Sequence, residues 1–393
     1  MCLLTIIFIS LCYCYHIESQ RYLKKRKIDI DVFLIYFLKG ANMNMTADLL
    51  PRRIDRPSAW IGEDMTKNSK LWTQTLSSSE IEELESAARE FKVMSSNIAD
   101  ISIENFSLPK LGKKLSALRR TLTHGVGFQL IRGLPVKNYT LETAATIFCG
   151  IGAHLGMARS QNAMGHILGH VRDTGADPDD TNARIYQTSD RQTFHTDSSD
   201  IVGLLCLKTA FEGGKSLLVS TETIYNEMNR VRPDLVPCLF ESIATDRRGE
   251  IPVGEKPYFE IPVLSWYQGF LTGMYQRQYI DSAQRFQQAM RLTKKHIEAL
   301  DLFDQLANDK RLHLSMQLDV GDLQFVYNHA LLHDRTGFID WPEPDRKRHL
   351  LRLWISAPDD RPLPSCFKER YGSIDIGNRG GIITEHTKLN VPL

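Results

Sequence analysis

The chain is 393 residues long, 42% hydrophobic and 24% charged, the proportions of an ordinary soluble globular protein. Lys plus Arg number 48 against 47 Asp plus Glu, a net charge of +1, so there is no basic excess to hold nucleic acid. No apolar run reaches the roughly 18 residues of a membrane span, and 25 Gly with 16 Pro exclude collagen-like and disordered chains.

Residues 1–50 differ from the rest. Met1 to Tyr15 is apolar and uncharged, and Arg21, Lys24, Lys25, Arg26 and Lys27 follow it. A second apolar patch, Val32 to Leu38, is too short to span a bilayer. A signal peptide would carry its charge before the apolar stretch and a small-residue cleavage site after it. The other two readings are an anchor through residues 1–15 and a mis-called start, with Met43 or Met45 beginning the protein. Of the seven cysteines, Cys2, Cys12 and Cys14 crowd this segment, while Cys149, Cys206, Cys238 and Cys366 are scattered. With no C-x-x-C and an odd count, they read as free thiols in a reducing, cytoplasmic setting.

From Pro51 onward the chain reads as one domain. Ser77-x-x-Glu80 forms a capping box, and Ile81, Leu84, Ala88 and Phe91 follow at helical spacing, predicting a helix near 79–93. A second helix is expected over 110–123, a strand between Gly125 and Gly133, and a helix from Thr140 to Cys149. Ile201 to Leu207 is a continuous apolar run, fitting a strand buried on both faces. Gly213-Gly214 makes a turn into another strand, Ser216 to Ser220. Helices are expected around 222–242 and 281–308, then strands Leu323 to Asn328 and His349 to Ser356. Helices before and between two blocks of strands predict a β-sandwich or barrel with helical insertions.

Gly150-Ile-Gly152-Ala-His-Leu-Gly156 superficially resembles a dinucleotide fingerprint. It follows a helix rather than a strand, so it reads as a helix C-terminus with turn glycines. Nucleotide P-loops and G-x-S-x-G are absent from the sequence. His296-Ile-Glu298 lies in a predicted helix, where residues two apart point to nearly opposite sides and cannot share an ion. His195-Thr-Asp197 sits in a strand-like setting, where residues two apart share a face. A third ligand such as His333 would complete a two-His-one-carboxylate triad with open positions on iron(II). Farther on, Arg348 and Arg352 fall on one face of the last strand, with Leu351, Leu353 and Ile355 on the other. Two guanidiniums beside such a site suit bidentate capture of carboxylates.

The segments Phe194–Cys206, Gly213–Ser220, His333–Pro342 and Arg348–Trp354 together resemble the taurine dioxygenase-like (TauD/TfdA) family. Pro57–Trp60, Gly165–Arg172 and Gly380-Gly-Ile are similar to a branch of it, and the likeness spans about 57–383. The resemblance implies a mainly β fold with helices, a double-stranded β-helix (jelly-roll) core behind a helical N-terminal part. It implies Fe(II) held by His195, Asp197 and His333, with 2-oxoglutarate and O2 as cosubstrates. Ser216 stands where the family has a Thr near the distal carboxylate of 2-oxoglutarate. Arg348 matches the 2-oxoglutarate arginine, and Arg352 one near the cosubstrate or an anionic substrate. The loop between His333 and Arg348 is longer than in taurine dioxygenase itself, which leaves the division of labour between the two arginines open.

The expected function is therefore oxidation, by default hydroxylation, of a C–H bond in a small organic substrate, with desaturation or cyclisation open to the same chemistry. Two alternatives stand beside it: a degenerate β-helix that binds a small molecule without turnover, and a family member tethered to a membrane through residues 1–15. A homo-oligomer is compatible with the sequence. Gln161, Asn162, Tyr186, Gln187, Phe194 and Asn328 are candidates for lining or supporting the pocket. His329 reads as a supporting residue, and His166 and His170 as either pocket or packing.

Overall fold

The computed structural model describes residues 50–176, 184–383 and 387–393. The expectations for the atypical N-terminal segment lie outside the described residues. Among those described, no helix is long and apolar enough to cross a membrane. Residues 51–393 form a compact unit.

Among the described residues, a short helix at Gly62–Lys67 and three longer ones precede the main strand blocks. Helix α1 (Ser78–Met94) starts at the expected capping box, where the Ser77 hydroxyl accepts from the Glu80 amide and Glu80 returns the bond. Helix α2 (Leu111–His124) buries Leu111, Leu115, Leu118 and Leu122, one stripe at helical spacing. Helix α3 (Leu141–Leu155) is capped by Thr140 and is buried over most of its length. Its Gly150 and Gly152 correct the reading of turn glycines, because both lie inside the helix. A Cβ on Gly150 would sit 2.3 Å from the Phe106 ring, and one on Gly152 would sit 2.7 Å from Leu353. Close packing selects glycine at both positions, and the turn comes only at Gly156.

The strands that build the core are β1 (Thr73–Thr75), β2 (Phe128–Arg132), β3 (Met157–Arg159), β4 (Leu168–Val171), β5 (Gln192–His195) and β6 (Ile201–Lys208). They continue with β7 (Ser216–Ser220), β8 (Leu314–Met316), β9 (Leu323–Tyr327), β10 (Leu331–Arg335) and β11 (His349–Ser356). One sheet of seven strands runs β1-β2-β9-β6-β11-β3, with β4 also paired to β11. A second sheet of four runs β8-β7-β10-β5. Leu218, Leu314 and Leu331 from the small sheet share one hydrophobic cluster with Leu205, Phe325 and Leu351 from the large one. Each such side chain contributes on the order of 1.5–3 kcal/mol by leaving water. This is the expected jelly-roll core with helices packed outside it.

Among the described residues three later helices insert between strands: α4 (Thr221–Val231), capped by Ser220, a short one at Arg277–Ala283, and α5 (Lys294–Ala307), capped by Thr293, so the helix expected over 281–308 starts later, at Lys294. The expected helical stretch 222–242 ends early, giving way to a short 3-10 turn at Val236–Phe240. Between α4 and α5 lie two antiparallel ribbons that the sequence reading passed over, Ser242–Asp246 with Tyr258–Pro262 and Leu264–Tyr267 with Phe270–Gly273.

Candidate active site

Strands β5 and β10 pair so that His195 and His333 lie directly opposite one another. Strand β5 ends at His195, so Asp197 is beyond the strand rather than two positions along it. The chain nevertheless returns the carboxylate to the same point, because the Asp197 amide donates to Asn328 Oδ1 at 3.2 Å just beyond β9. Ligand atoms of His195, Asp197 and His333 all lie within 4.8 Å of one another. The two imidazole centroids are 4.1 Å apart, and His333 Nε2 is 3.7 Å from Asp197 Oδ2.

The protonation pattern suits a cation at this point. His195 Nδ1 is 2.8 Å from the Thr193 carbonyl, a pure acceptor, so Nδ1 carries the hydrogen and Nε2 keeps its lone pair. In the present arrangement the Gln192 amide donates to that Nε2 at 2.9 Å, and a metal takes the lone pair from it. Burial, reinforced by the neighbouring His333, pushes His195 down to about 3 and keeps it neutral, the form that ligates. Burial works against the Asp197 carboxylate, but Arg352 and the two histidines outweigh it and hold the group well below the usual carboxylate range. Two imidazoles and one carboxylate with ligand atoms this close together form a donor set that fits Fe(II) with open positions.

Asp197 Oδ2 also accepts from Trp354 Nε1 at 2.8 Å and lies 3.3 Å from Arg352 Nη1. Trp354 was not singled out from the sequence. It sits two residues beyond Arg352 on β11, and the period of two that joined Arg348 to Arg352 extends to it. Partners that orient a metal's carboxylate ligand are typically worth about 10- to 100-fold in metal affinity. Trp354→Phe is therefore expected to raise the Fe(II) concentration for half-loading by about that factor. Metal titration under argon measures it, and an unchanged titration would show that the indole N–H does not tune the ligand.

The two arginines have different situations. Arg352 is buried and spent: its Nε donates to Gln161 Oε1 at 2.7 Å, its Nη1 faces Asp197, and its plane lies 4.7 Å from the Tyr186 ring centroid. Arg348 is buried too, yet among the described residues its guanidinium has no hydrogen-bond or ion-pair partner, only the Phe338 ring at 5.1 Å. Burial pushes Arg348 down to about 10. Gly214, at φ +66°, gives it room, since a Cβ there would lie 3.0 Å from Arg348 Nε. One cavity is lined by Arg348, Ser216, His195, His333 and Arg352 together. Ser216 Oγ meets that cavity while donating to Gln324 Oε1 at 2.9 Å. A second cavity opens on the other side, sharing His195, Gln192, Tyr186 and Arg352 and adding Asp197 and Trp354.

Of the other candidates, Gln161, Tyr186 and Asn328 support the site through the contacts given above. Gln187 belongs to a short 3-10 turn whose backbone meets Thr174. Phe194 is buried against His313 rather than in either cavity. His166 meets Asn162, and His170 meets His349 at 2.8 Å, both apart from the triad. His329 Nε2 donates to Asp200 Oδ1 at 2.8 Å in a fully buried cluster. Asp200 and Asp360 there bracket the guanidinium of Arg379, at 2.8 Å each, so a protein cation already occupies the space between them. His296 has Thr293 at one ring nitrogen and Glu241 at the other, which leaves nothing for an ion.

A jelly roll holding two imidazoles and a carboxylate beside a buried arginine is the architecture of an Fe(II)- and 2-oxoglutarate-dependent oxygenase. Residues 90–354 match the model of the taurine catabolism dioxygenase TauD, TfdA family, and the chain belongs to that family. It is 29% identical to FR-33289 synthase of Streptomyces rubellomurinus, over 83% of this chain and 97% of that one. It is 31% identical to the taurine hydroxylase-like protein SAT17 of Stachybotrys chartarum, over 77% and 80% respectively. Among solved structures, asparagine oxygenase in complex with Fe(II), 3-hydroxyasparagine and succinate shares the fold, at a TM-score of 0.56 and 18% identity over 72% of this chain and 93% of that one.

Proposed function

We propose that this chain hydroxylates a C–H bond of a small organic substrate, with His195, Asp197 and His333 holding Fe(II) and Arg348 with Ser216 holding the distal carboxylate of 2-oxoglutarate. The observation that carries this reading is the position of the triad between two cavities: His195 lines both, His333 the one that also holds the unspent guanidinium of Arg348, and Asp197 the other. Bound there, iron supplies oxygen activation coupled to decarboxylation of 2-oxoglutarate.

The chain's own groups do the rest. Anionic Asp197 would offset one charge of a divalent cation, and neutral His195 would donate its lone pair without adding charge. Trp354 and Arg352 hold the Asp197 carboxylate in one orientation. Val202, Leu204, Val326 and Leu350 line the Arg348 cavity, keeping it poor in water and strengthening the ion pair there. The test is oxygen-dependent release of succinate in the presence of Fe(II), across a panel of amino, sulfonic and carboxylic acids. A product heavier by one oxygen atom is expected; succinate that never forms with any member, under conditions where the metal is bound, would favour the degenerate binder.

Arg348→Ala is expected to raise the apparent 2-oxoglutarate requirement by about 10- to 150-fold, the range of a lost charge-assisted pair. Arg352→Ala removes a partner of Asp197 and is expected to act first on iron. If instead Arg352→Ala alone raised the 2-oxoglutarate requirement, the two roles would be exchanged. The free, scattered thiols support a cytoplasmic location. Fractionation of the full chain beside a form starting at Met45 tests a tether in residues 1–15.

A further inference from the structure

The second cavity is unusually cationic. Arg184, Arg247, Arg352 and Arg370 line it, against only two carboxylates, Asp197 and Asp246. Arg352 and Asp197 face each other, and Asp246 is engaged from outside the cavity by Arg285 at 3.1 Å and the Ser282 hydroxyl at 2.6 Å. Three arginines remain. Arg184 is the best compensated of them: burial works against its charge, but Tyr279 and Glu250, the latter 3.3 Å from Nη2, outweigh it and raise the group, although that Nη2 makes no hydrogen bond. Arg247 is buried and spends its donors on the carbonyls of Lys256 and Glu369, its nearest carboxylate being the exposed Glu255 at 3.6 Å. Arg370 donates to Ser198 Oγ at 2.7 Å and has no ion pair among the described residues.

These cations come from three separate segments and share one enclosure. Arg247 and Arg370 each lie 5.5 Å from the centroid of the same Phe259 ring. They also feel one another: burial and then the charges of Arg184 and Arg247 push Arg370 down to about 10. Confining like charges away from water is unfavourable unless an anion completes the arrangement. The Thr245 and Tyr279 side chains line the same cavity and bring hydroxyl groups suited to anionic oxygens. Arg352 is not available for this task, being committed to Asp197 and Gln161.

We propose that Arg184, Arg247 and Arg370 form the recognition site for a dianionic, tetrahedral head group on the substrate, a phosphonate or a phosphate monoester. The inference rests on the oxygenase reading, which makes this cavity the substrate side of the triad. Three guanidiniums from three segments suit oxygens spread over a tetrahedron better than the two coplanar oxygens of a carboxylate. A second charge also compensates more of the cluster than a sulfonate's single one. The substrate is short, because Arg370 is tied to Ser198, the residue next to Asp197 in the chain.

The full chain, loaded with Fe(II) and 2-oxoglutarate under argon, is titrated calorimetrically at pH 8 with propylphosphonate, propanesulfonate and butyrate. Propylphosphonate is expected to bind at least about ten-fold more tightly than either monoanion, and R247Q and R370Q are each expected to weaken it by about ten-fold or more. R370K keeps the charge and is expected to bind propylphosphonate more tightly than R370Q, which separates lost charge from a disturbed fold. Equal binding of the three anions, or parental affinity in R247Q and R370Q, overturns the head-group site while leaving the oxygenase reading standing. Failure of the parent to hold Fe(II) and 2-oxoglutarate overturns that reading instead, and with it the role of this cavity as its substrate pocket.

Discussion

Replacing His333 by Ala is expected to abolish tight Fe(II) binding while leaving the fold in place. Loss of a partner outside the ligand set already costs about 10- to 100-fold in affinity, so loss of one of three ligands should exceed about 100-fold. The fold should survive because His333 makes little of it. Its Nδ1 has no hydrogen-bond partner, and its side chain is 14% exposed on the cavity wall. Its backbone stays in register between β7 and β5 whatever the side chain. Equilibrium dialysis with metal analysis reads the affinity, and circular dichroism reads the fold. A variant that retained Fe(II) as the parent does would remove His333 from the ligand set. His195→Ala should lose iron as completely, but it also breaks the contact with Thr193 and so makes a less clean probe of the fold.

Arg379→Ala is expected to destabilise the protein by about 3–5 kcal/mol, the range for leaving a buried charge without its partner. Arg379 is fully buried, donates to Asp200 and Asp360, and gives a third bond to the Arg361 carbonyl at 2.8 Å. Without it two carboxylates face each other in the interior, with His329 and the Tyr327 hydroxyl as their remaining polar side-chain partners beside Ser356. Urea unfolding of the metal-free protein measures the loss. A change below about 1 kcal/mol would place the cluster in the class of ion pairs that solvent can replace. The effect should reach the site as well, since Asp200 follows Asp197 by three residues and the backbone of Gly381 donates to the Ser198 carbonyl at 2.7 Å.

The strands were legible where burial on both faces writes itself as an apolar run. Ile201 to Leu207 and His349 to Ser356 were read within a residue of their observed bounds. The ribbons between 242 and 273 were not. Each has only two strands, and segments such as Tyr-Phe-Glu-Ile-Pro take their conformation from a partner rather than from their own pattern. The triad was legible in composition and only partly in geometry. His195 and Asp197 were expected to share the face of a strand, whereas the strand stops and an Asn328 contact brings the carboxylate back. Arg348 and Arg352 could not be told apart by periodicity because both fall on one face; their partners separate them. Arg184, Arg247 and Arg370 lie in three distant segments without a common period, so nothing in the linear order announces that they meet.

The arginine that balances Asp200 lies 179 residues farther along the chain. During synthesis, the segment carrying His195 and Asp197 therefore leaves the ribosome long before its neighbouring carboxylate has a countercharge. The charge balance beside His195 and Asp197 waits for nearly the whole domain, the slow route expected when decisive contacts are distant in sequence. A polypeptide ended between Asp360 and Arg379 would carry His195, Asp197, His333 and Arg348, yet would bury Asp200 and Asp360 without the guanidinium that pairs them, and would be left to the cell's degradation machinery.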